Sequence, residues 1–280
     1  MADKYTTIAE VTDLQSYSSP CHIFDCRCSL ADDHYGQNAY RDGHIPNAQF
    51  VDLNNQLSGP IIPRKTGRHP LPSKGVFIEQ IRTWGVTNDS QIFVYDDNHG
   101  AFAARLWWMF RWVGHVAVAV LNGGFQQWKN AGMELATGSP DVTQSSFEPA
   151  PALTKSIDAD DVLNQPGILT DARDIARFLG EVEPIDAVAG HIPGATCLPF
   201  TENLVNNKLR PASELKQRFI EAGIEQGVTV TCYCGSGVTA THNILALIHA
   251  GYEEPTLYSG SWSDWITNPD RPVATGESPI

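Results

Sequence analysis

The residues best suited to chemistry lie in TCYCGSGVTATH, positions 231–242. Cys234 ends an alternating run, VTVTCY, and is followed by Gly235 and Gly237, one residue apart. Glycines let the backbone curl so that successive N–H groups point inward, which makes a nest for an anion. A helix beginning just beyond would aim its positive end at the same point. Both effects favour a thiolate over a thiol, so Cys234 is expected to be a nucleophile with a lowered pKa. The nest amides of Gly235, Gly237, Val238 and Thr239 are the expected anion donors, and the hydroxyls of Ser236 and Thr239 add to them. Cys232 shares the parity of Val228 and Val230 and reads as a buried core thiol.

Other cysteine chemistries fit less well. Cys-x-Cys lacks the usual ligand spacing of a metal site and has no matching pair, so no metal is expected. The CRC at 26–28 is equally isolated and reads as structural. A cysteine phosphatase needs an arginine to close its loop, and this loop runs to Ala240, Thr241 and His242 without one. In a chain of this size the six cysteines are expected to be free thiols rather than a disulfide framework.

The elements that must position Cys234 occur twice. RDGHIPNAQFVDL (41–53) and VAGHIPGATCLPF (188–200) align at an offset of 147, from His44 to His191. YDDNHGAFAARLWWMFRWVGH aligns with CYCGSGVTATHNILALIHAGY at an offset of 137, which sets Asp97 opposite Cys234. GGFQQW (123–128) and GSWSDW (260–265) keep that offset. Three ordered blocks indicate a duplicated domain. Only the second copy holds the nucleophile, so the first is expected to be non-catalytic.

Each copy alternates strand-like and helix-like segments. HIFDC, AQFVDL, QIFVYDD and HVAVAVL read as strands in the first, with helices over FIEQIRTWG and AFAARLWWMFRWV. GILTDA, ATCLPF, VTVTCYC and EPTLYSG match them in the second, with helices over ELKQRFIEAG and TATHNILALIHAG. Strands joined through helices imply an α/β fold, each domain a parallel sheet flanked by helices on both faces. In such sheets ligands bind at the carboxyl ends of the strands, where Cys234 falls. The expected domains are 1–138 and 155–280, joined by a polar, Pro-containing linker over 139–154. The first copy carries about ten more residues, around SGPIIPRKTGRHPLPSKG (58–75), a loop long enough to be either functional or a tolerated insertion.

Composition narrows the partners. The formal net charge of -13 and the lack of a basic stripe argue against nucleic acid. No apolar stretch approaches the roughly 20 residues of a membrane span. The opening MADKYTTIAE lacks the pattern of a signal peptide, and the reading is cytoplasmic. Any small anionic substrate must be met by local donors against the overall field.

The two GHIP motifs, YDD…AARLWWMFRWVGH, the LNGGFQQW and YSGSWSDW closers and the CGSGVTA loop resemble the two-domain sulfurtransferases built from tandem rhodanese domains. The similarity spans nearly the whole chain. It implies two similar α/β domains with an active site at their interface and no metal or organic cofactor. The implied activity moves a sulfane sulfur from a donor through a Cys234 persulfide to an acceptor such as cyanide or a thiol, a thioredoxin-like protein included.

The loop C-G-S-G-V-T resembles the 3-mercaptopyruvate branch, where the thiosulfate branch resembles C-R-K-G-V-T. Arg177, before Phe178, falls on the family's substrate-binding arginine and suits a carboxylate. A second arginine, expected in an E-P-E-P-R segment, is replaced by Ile185 in EVEPIDA. Asp171 and Arg173 match a structural Asp-x-Arg element. RHPLP places His69 where the family carries a histidine paired with Ser236, while the acid of that relay falls on Asn54, with Asp52 two residues earlier. Three readings stay open: a 3-mercaptopyruvate sulfurtransferase, a thiosulfate sulfurtransferase, or a non-catalytic rhodanese scaffold, against which the retained Cys234 argues.

Overall fold

The computed structural model describes residues 4–277. The chain divides into two compact units. The first runs to Gly59 and resumes from Pro72 to Leu153; the second takes Pro60–Leu71 and everything from Thr154 onward. The proline-rich segment of the first copy thus belongs, in space, to the second unit.

The first unit contains β1 (Ile8–Ala9), α1 (Val11–Ser16), β2 (Cys21–Asp25), α2 (Tyr35–Asp42), β3 (Ala48–Phe50), α3 (Lys74–Thr83), β4 (Gln91–Tyr95), α4 (Ala103–Trp112), β5 (Val118–Leu121) and α5 (Gly124–Asn130). Its five strands are all parallel in the order β1-β5-β4-β2-β3. The central strand β4 is buried at every position, which is why QIFVY reads as a continuous apolar run and not as an alternation. Helix α3 begins where the Ser73 hydroxyl accepts the Val76 N–H. Nine of the ten residues of α4 are buried, as its nearly unbroken AARLWWMFRW predicts.

The second unit contains β6 (Lys155–Ile157), α6 (Ala159–Val162), β7 (Ile168–Asp171), α7 (Ile175–Leu179), β8 (Thr196–Cys197), a hairpin of β9 (Leu204–Val205) and β10 (Lys208–Leu209), α8 (Ala212–Glu221), β11 (Val230–Tyr233), α9 (Ala240–His249), β12 (Thr256–Tyr258) and α10 (Ser261–Trp265). Its main sheet repeats the first, parallel in the order β6-β12-β11-β7-β8. Cys232 lies in the core as expected, but so do Thr231 and Tyr233, because β11 is covered on both faces. Burial pushes the Cys232 thiol up to about 12, which leaves it inert at neutral pH.

The repeated motifs serve the frame. Each GHIP histidine stacks on an aromatic ring, His44 on Tyr40 at 3.8 Å and His191 on Phe178 at 3.7 Å. Their Nδ1 atoms meet the carbonyls of those same residues at 2.8 and 2.7 Å. Arg173 grips the Asp171 carboxylate through Nε and Nη2, down to 2.6 Å, and donates to the Gly190 carbonyl, tying the end of β7 to the GHIP turn. Arg27 and Asp25 repeat that clasp in the first unit, with Gly43 as the carbonyl. Among the described residues, no helix is long and apolar enough to cross a membrane.

Candidate active site

Cys234 follows β11 directly and is 1% exposed. Its backbone is fixed from both sides: its N–H donates to the Ser261 hydroxyl at 3.0 Å, and its carbonyl accepts from Trp262 N–H at 2.9 Å. The loop then turns back, so that Gly237 N–H donates to the Cys234 sulfur at 3.2 Å. Gly237 holds the turn at φ 77, where a β-carbon would also sit 2.1 Å from the Ser259 carbonyl oxygen. Only glycine serves there. The ten-residue helix α9 starts just after Thr239, with its N-terminus at the loop. Val238 is buried and Thr239 half-buried.

Ser236, 5% exposed, shares a 2.8 Å hydrogen bond with Nδ1 of His69. His69 reaches it because residues 60–71 pack within the second unit. Gly67 permits the approach: a β-carbon there would lie 2.6 Å from both the Gly260 carbonyl oxygen and the Ser263 hydroxyl. The next N–H, of Arg68, donates to that same hydroxyl at 3.0 Å. Of the two acid candidates, Asn54 is exposed in the first unit. Asp52 accepts from Asn55 N–H at 2.8 Å and closes a local turn.

Arg177, on α7, is anchored by carboxylates. Its Nε and Nη2 donate to Glu183 at 3.1 and 2.8 Å, and Nη2 also meets Asp186 at 3.1 Å. Glu183 and Asp186 are only 4% and 5% exposed, so these pairs are shielded from water, unlike ordinary surface bridges. The other oxygen of Asp186 pairs with Nη1 of Arg68. Burial lowers the Arg68 pKa, and the nearby Cys234 sulfur acts in the opposite sense. Arg173 contacts Glu183 at 3.3 Å as well as clasping Asp171, so it buttresses the cluster from behind.

The sequence, through its loop for Cys234, Gly235, Ser236, Gly237, Val238 and Thr239 and through the family resemblance for His69 and Arg177, names residues that lie in one region of the second unit. It misses Arg68, although RHPLP places that cation directly before His69. It also misses Glu183 and Asp186, the carboxylates that orient the arginines, and Ser261 and Ser263, which brace the loop.

The alignment of Asp97 with Cys234 needs correction by one residue. β4 ends at Tyr95 as β11 ends at Tyr233, so Asp96 follows its strand as Cys234 does. Asp96 carbonyl accepts from Phe125 N–H at 2.8 Å, matching the Cys234–Trp262 bond. The first-unit loop holds one more residue before its helix, which is why the offset holds downstream and slips upstream. Asp97 instead bonds the Tyr35 hydroxyl. The Asp96 carboxylate accepts the N–H groups of Asn98, Gly100, Phe102 and Ala103, each at 2.8 Å. An acceptor built into the chain fills that nest.

A model of the rhodanese-like domain matches the chain twice, over residues 8–131 and 150–268. A protein of Pseudomonas aeruginosa named "Probable 3-mercaptopyruvate sulfurtransferase" is 48% identical over 264 residues, covering 91% of this chain and 92% of the relative. A protein of Mycobacterium tuberculosis named "Putative thiosulfate sulfurtransferase SseB" is 38% identical over 276 residues, 96% of either chain. The 3-mercaptopyruvate sulfurtransferase structure from Leishmania major superposes with a TM-score of 0.83 at 34% identity, over 92% of this chain and 73% of that one. With two copies of the domain, two sheets of the same strand order and a cysteine at the carboxyl end of the second, this chain belongs to the rhodanese-like family in its tandem, sulfurtransferase form.

Proposed function

We propose that the chain is a sulfurtransferase that carries sulfur from 3-mercaptopyruvate on Cys234 to a thiol or to cyanide. The observation that carries the reading is the Cys234 loop itself: a sulfur held by the Gly237 amide, beside the Ser236–His69 pair and the Arg177 guanidinium. Arg177 engages the donor carboxylate. The Cys234 sulfur attacks the thiol sulfur of the donor. The carbon–sulfur bond breaks with its electrons moving into the enolate of pyruvate, which then takes a proton. Ser236 and His69 lie where a hydroxyl can polarise the donor carbonyl and an imidazole can move that proton. A thiolate or cyanide then attacks the outer sulfur of the persulfide, and the Cys234 sulfur leaves as thiolate.

Thioredoxin-like thiols are the acceptor class in this reading, and the setting is cytoplasmic. A second reading, thiosulfate as donor, draws on Ile185 in place of an arginine and on the Mycobacterium tuberculosis relative. Exposing the protein to each donor and measuring intact mass tests the reading. One added sulfur, lost in Cys234→Ser, is expected with 3-mercaptopyruvate. No adduct with either donor overturns sulfur transfer, and a kcat/KM clearly favouring thiosulfate overturns the choice of donor.

A further inference from the structure

Two guanidiniums converge beside the nucleophile, and only one was expected there. A β-carbon on Gly235 would lie 3.0 Å from Arg68 Nη2, 3.5 Å from Arg177 Nη1 and 3.6 Å from Arg177 Nη2. Gly235 has no left-handed backbone to explain its identity. What it provides is an open face on which both cations bear. Among the described residues, the remaining hydrogen bonds of these groups point elsewhere. Arg177 spends Nε and Nη2 on Glu183 and Asp186, and Arg68 spends Nη1 on Asp186. Two of the atoms that face Gly235, Arg68 Nη2 and Arg177 Nη1, donate to no acceptor among the described residues.

Arg68 does not swing freely into this place. Its backbone N–H is held by Ser263, Gly67 before it sits tightly against Gly260, and Asp186 grips its side chain. Asp186 divides its two oxygens between the two arginines, so one carboxylate already bridges the pair from behind. Ile185, whose side of the segment would otherwise supply the second cation, is 47% exposed.

Charge decides what such a pair prefers. Arg68 and Arg177 carry two positive charges, and Glu183 and Asp186 carry two negative ones. A singly charged carboxylate can be taken up by directed, charge-assisted hydrogen bonds at little electrostatic cost, whereas a dianion meets no net positive charge. We propose that Arg68 and Arg177 form one clamp for the donor's carboxylate, with Asp186 setting the clamp's charge so that a monoanionic donor is preferred to a dianionic one. The proposal rests on reading the site as a sulfur-transfer centre, and it assigns Arg68 to anchoring and Asp186 to specificity.

Two measurements test it. The first titrates 3-hydroxypyruvate, which keeps the carboxylate and carbonyl but lacks the thiol, into Cys234→Ser protein by calorimetry. Adding Arg68→Met is expected to weaken binding by about tenfold or more, the loss of one charge-assisted hydrogen bond. The second compares kcat/KM for 3-mercaptopyruvate and thiosulfate. Arg68→Met is expected to raise KM for 3-mercaptopyruvate more than it lowers kcat, and Ile185→Arg in that background to restore KM. Asp186→Asn leaves one net positive charge and is expected to move the donor ratio about tenfold toward thiosulfate. Unchanged 3-hydroxypyruvate affinity in the Arg68→Met protein overturns the clamp. An unmoved donor ratio in Asp186→Asn overturns the charge-setting role. If wild-type protein takes sulfur from neither donor, the sulfur-transfer reading falls, and calorimetry still decides the clamp.

Discussion

Nδ1 of His69 and the hydroxyl oxygen of Ser236 lie 2.8 Å apart, joined across 167 positions of chain. Both side chains are more than nine-tenths buried, so water does not compete for the bond. Inside a protein such a contact is electrostatically stronger than in solvent, and its loss leaves a buried polar group exposed to the full desolvation penalty.

The pair should act as one unit. Ser236→Ala and His69→Asn are each expected to lower kcat with 3-mercaptopyruvate by roughly 10²-fold, in the range of positioned acid–base groups. The double variant should be little worse than either single one. Steady-state kinetics on the four proteins checks this, and fully multiplicative losses would show two independent roles.

The two loop glycines should fail differently when given a methyl group. Gly237→Ala meets both a left-handed backbone and the Ser259 carbonyl, and is expected to cost at least 2 kcal/mol or so in unfolding free energy. For Gly235→Ala the nearest atoms are the far ends of Arg68 and Arg177. Its stability should stay within about 1 kcal/mol of wild type while KM rises. Chemical denaturation beside donor kinetics separates the two.

The Asp171–Arg173 clasp should matter to stability more than to chemistry. Both side chains are 2% exposed or less, and removing one partner strands a buried charge. Asp171→Asn is expected to destabilise the protein by about 3–5 kcal/mol. Asp25→Asn should do the same from the first unit, where the ion pair is equally buried. Similar losses of stability from the two halves, read by denaturant titration, would mark the clasp as a framing device in each.

Buried histidines set an acid limit. Burial lowers the pKa of His115, whose ring meets the Ser90 carbonyl at 2.9 Å, and also lowers those of His22, His191 and His249. Each folded-state value lies below the ordinary 6.5, so the unfolded chain binds more protons in this window. The stability these rings contribute is fully present above pH 6.5 and is lost as pH falls through the lowered values. The thermal midpoint should therefore drop as pH falls from 7 toward 5, and His115→Gln, which keeps a donor for Ser90, should flatten that slope.

How far the residues alone reach is clearest at the second sheet. Strands β7, β11 and β12 and the duplication are readable because apolar runs and turn residues are local signals, and β8, only two residues long, because ATCLPF follows the repeated GHIP motif. The edge strand β1 spans two residues and β6 three, too few for any periodicity. Cys234 stands out because a strand end and a glycine loop are written in consecutive letters. Arg68 does not, since its role depends on residues 60–71 packing with Ser263 and Asp186, nearly two hundred and over one hundred positions away. The register of Asp96 slipped for a related reason: an extra loop residue leaves the pattern of helix and strand intact while moving the side chain that enters the nest.

The two oxygens of Asp96 satisfy four amides of the first unit. A cysteine put there would offer a single acceptor to donors arranged around two, in a loop one residue longer than its counterpart. Installing a second working thiol thus needs a deletion as well as a substitution, and neither step alone suffices. The same fold at the same strand end is tuned in one half for a fixed carboxylate and in the other for a sulfur, and a single exchange of side chains does not convert one into the other.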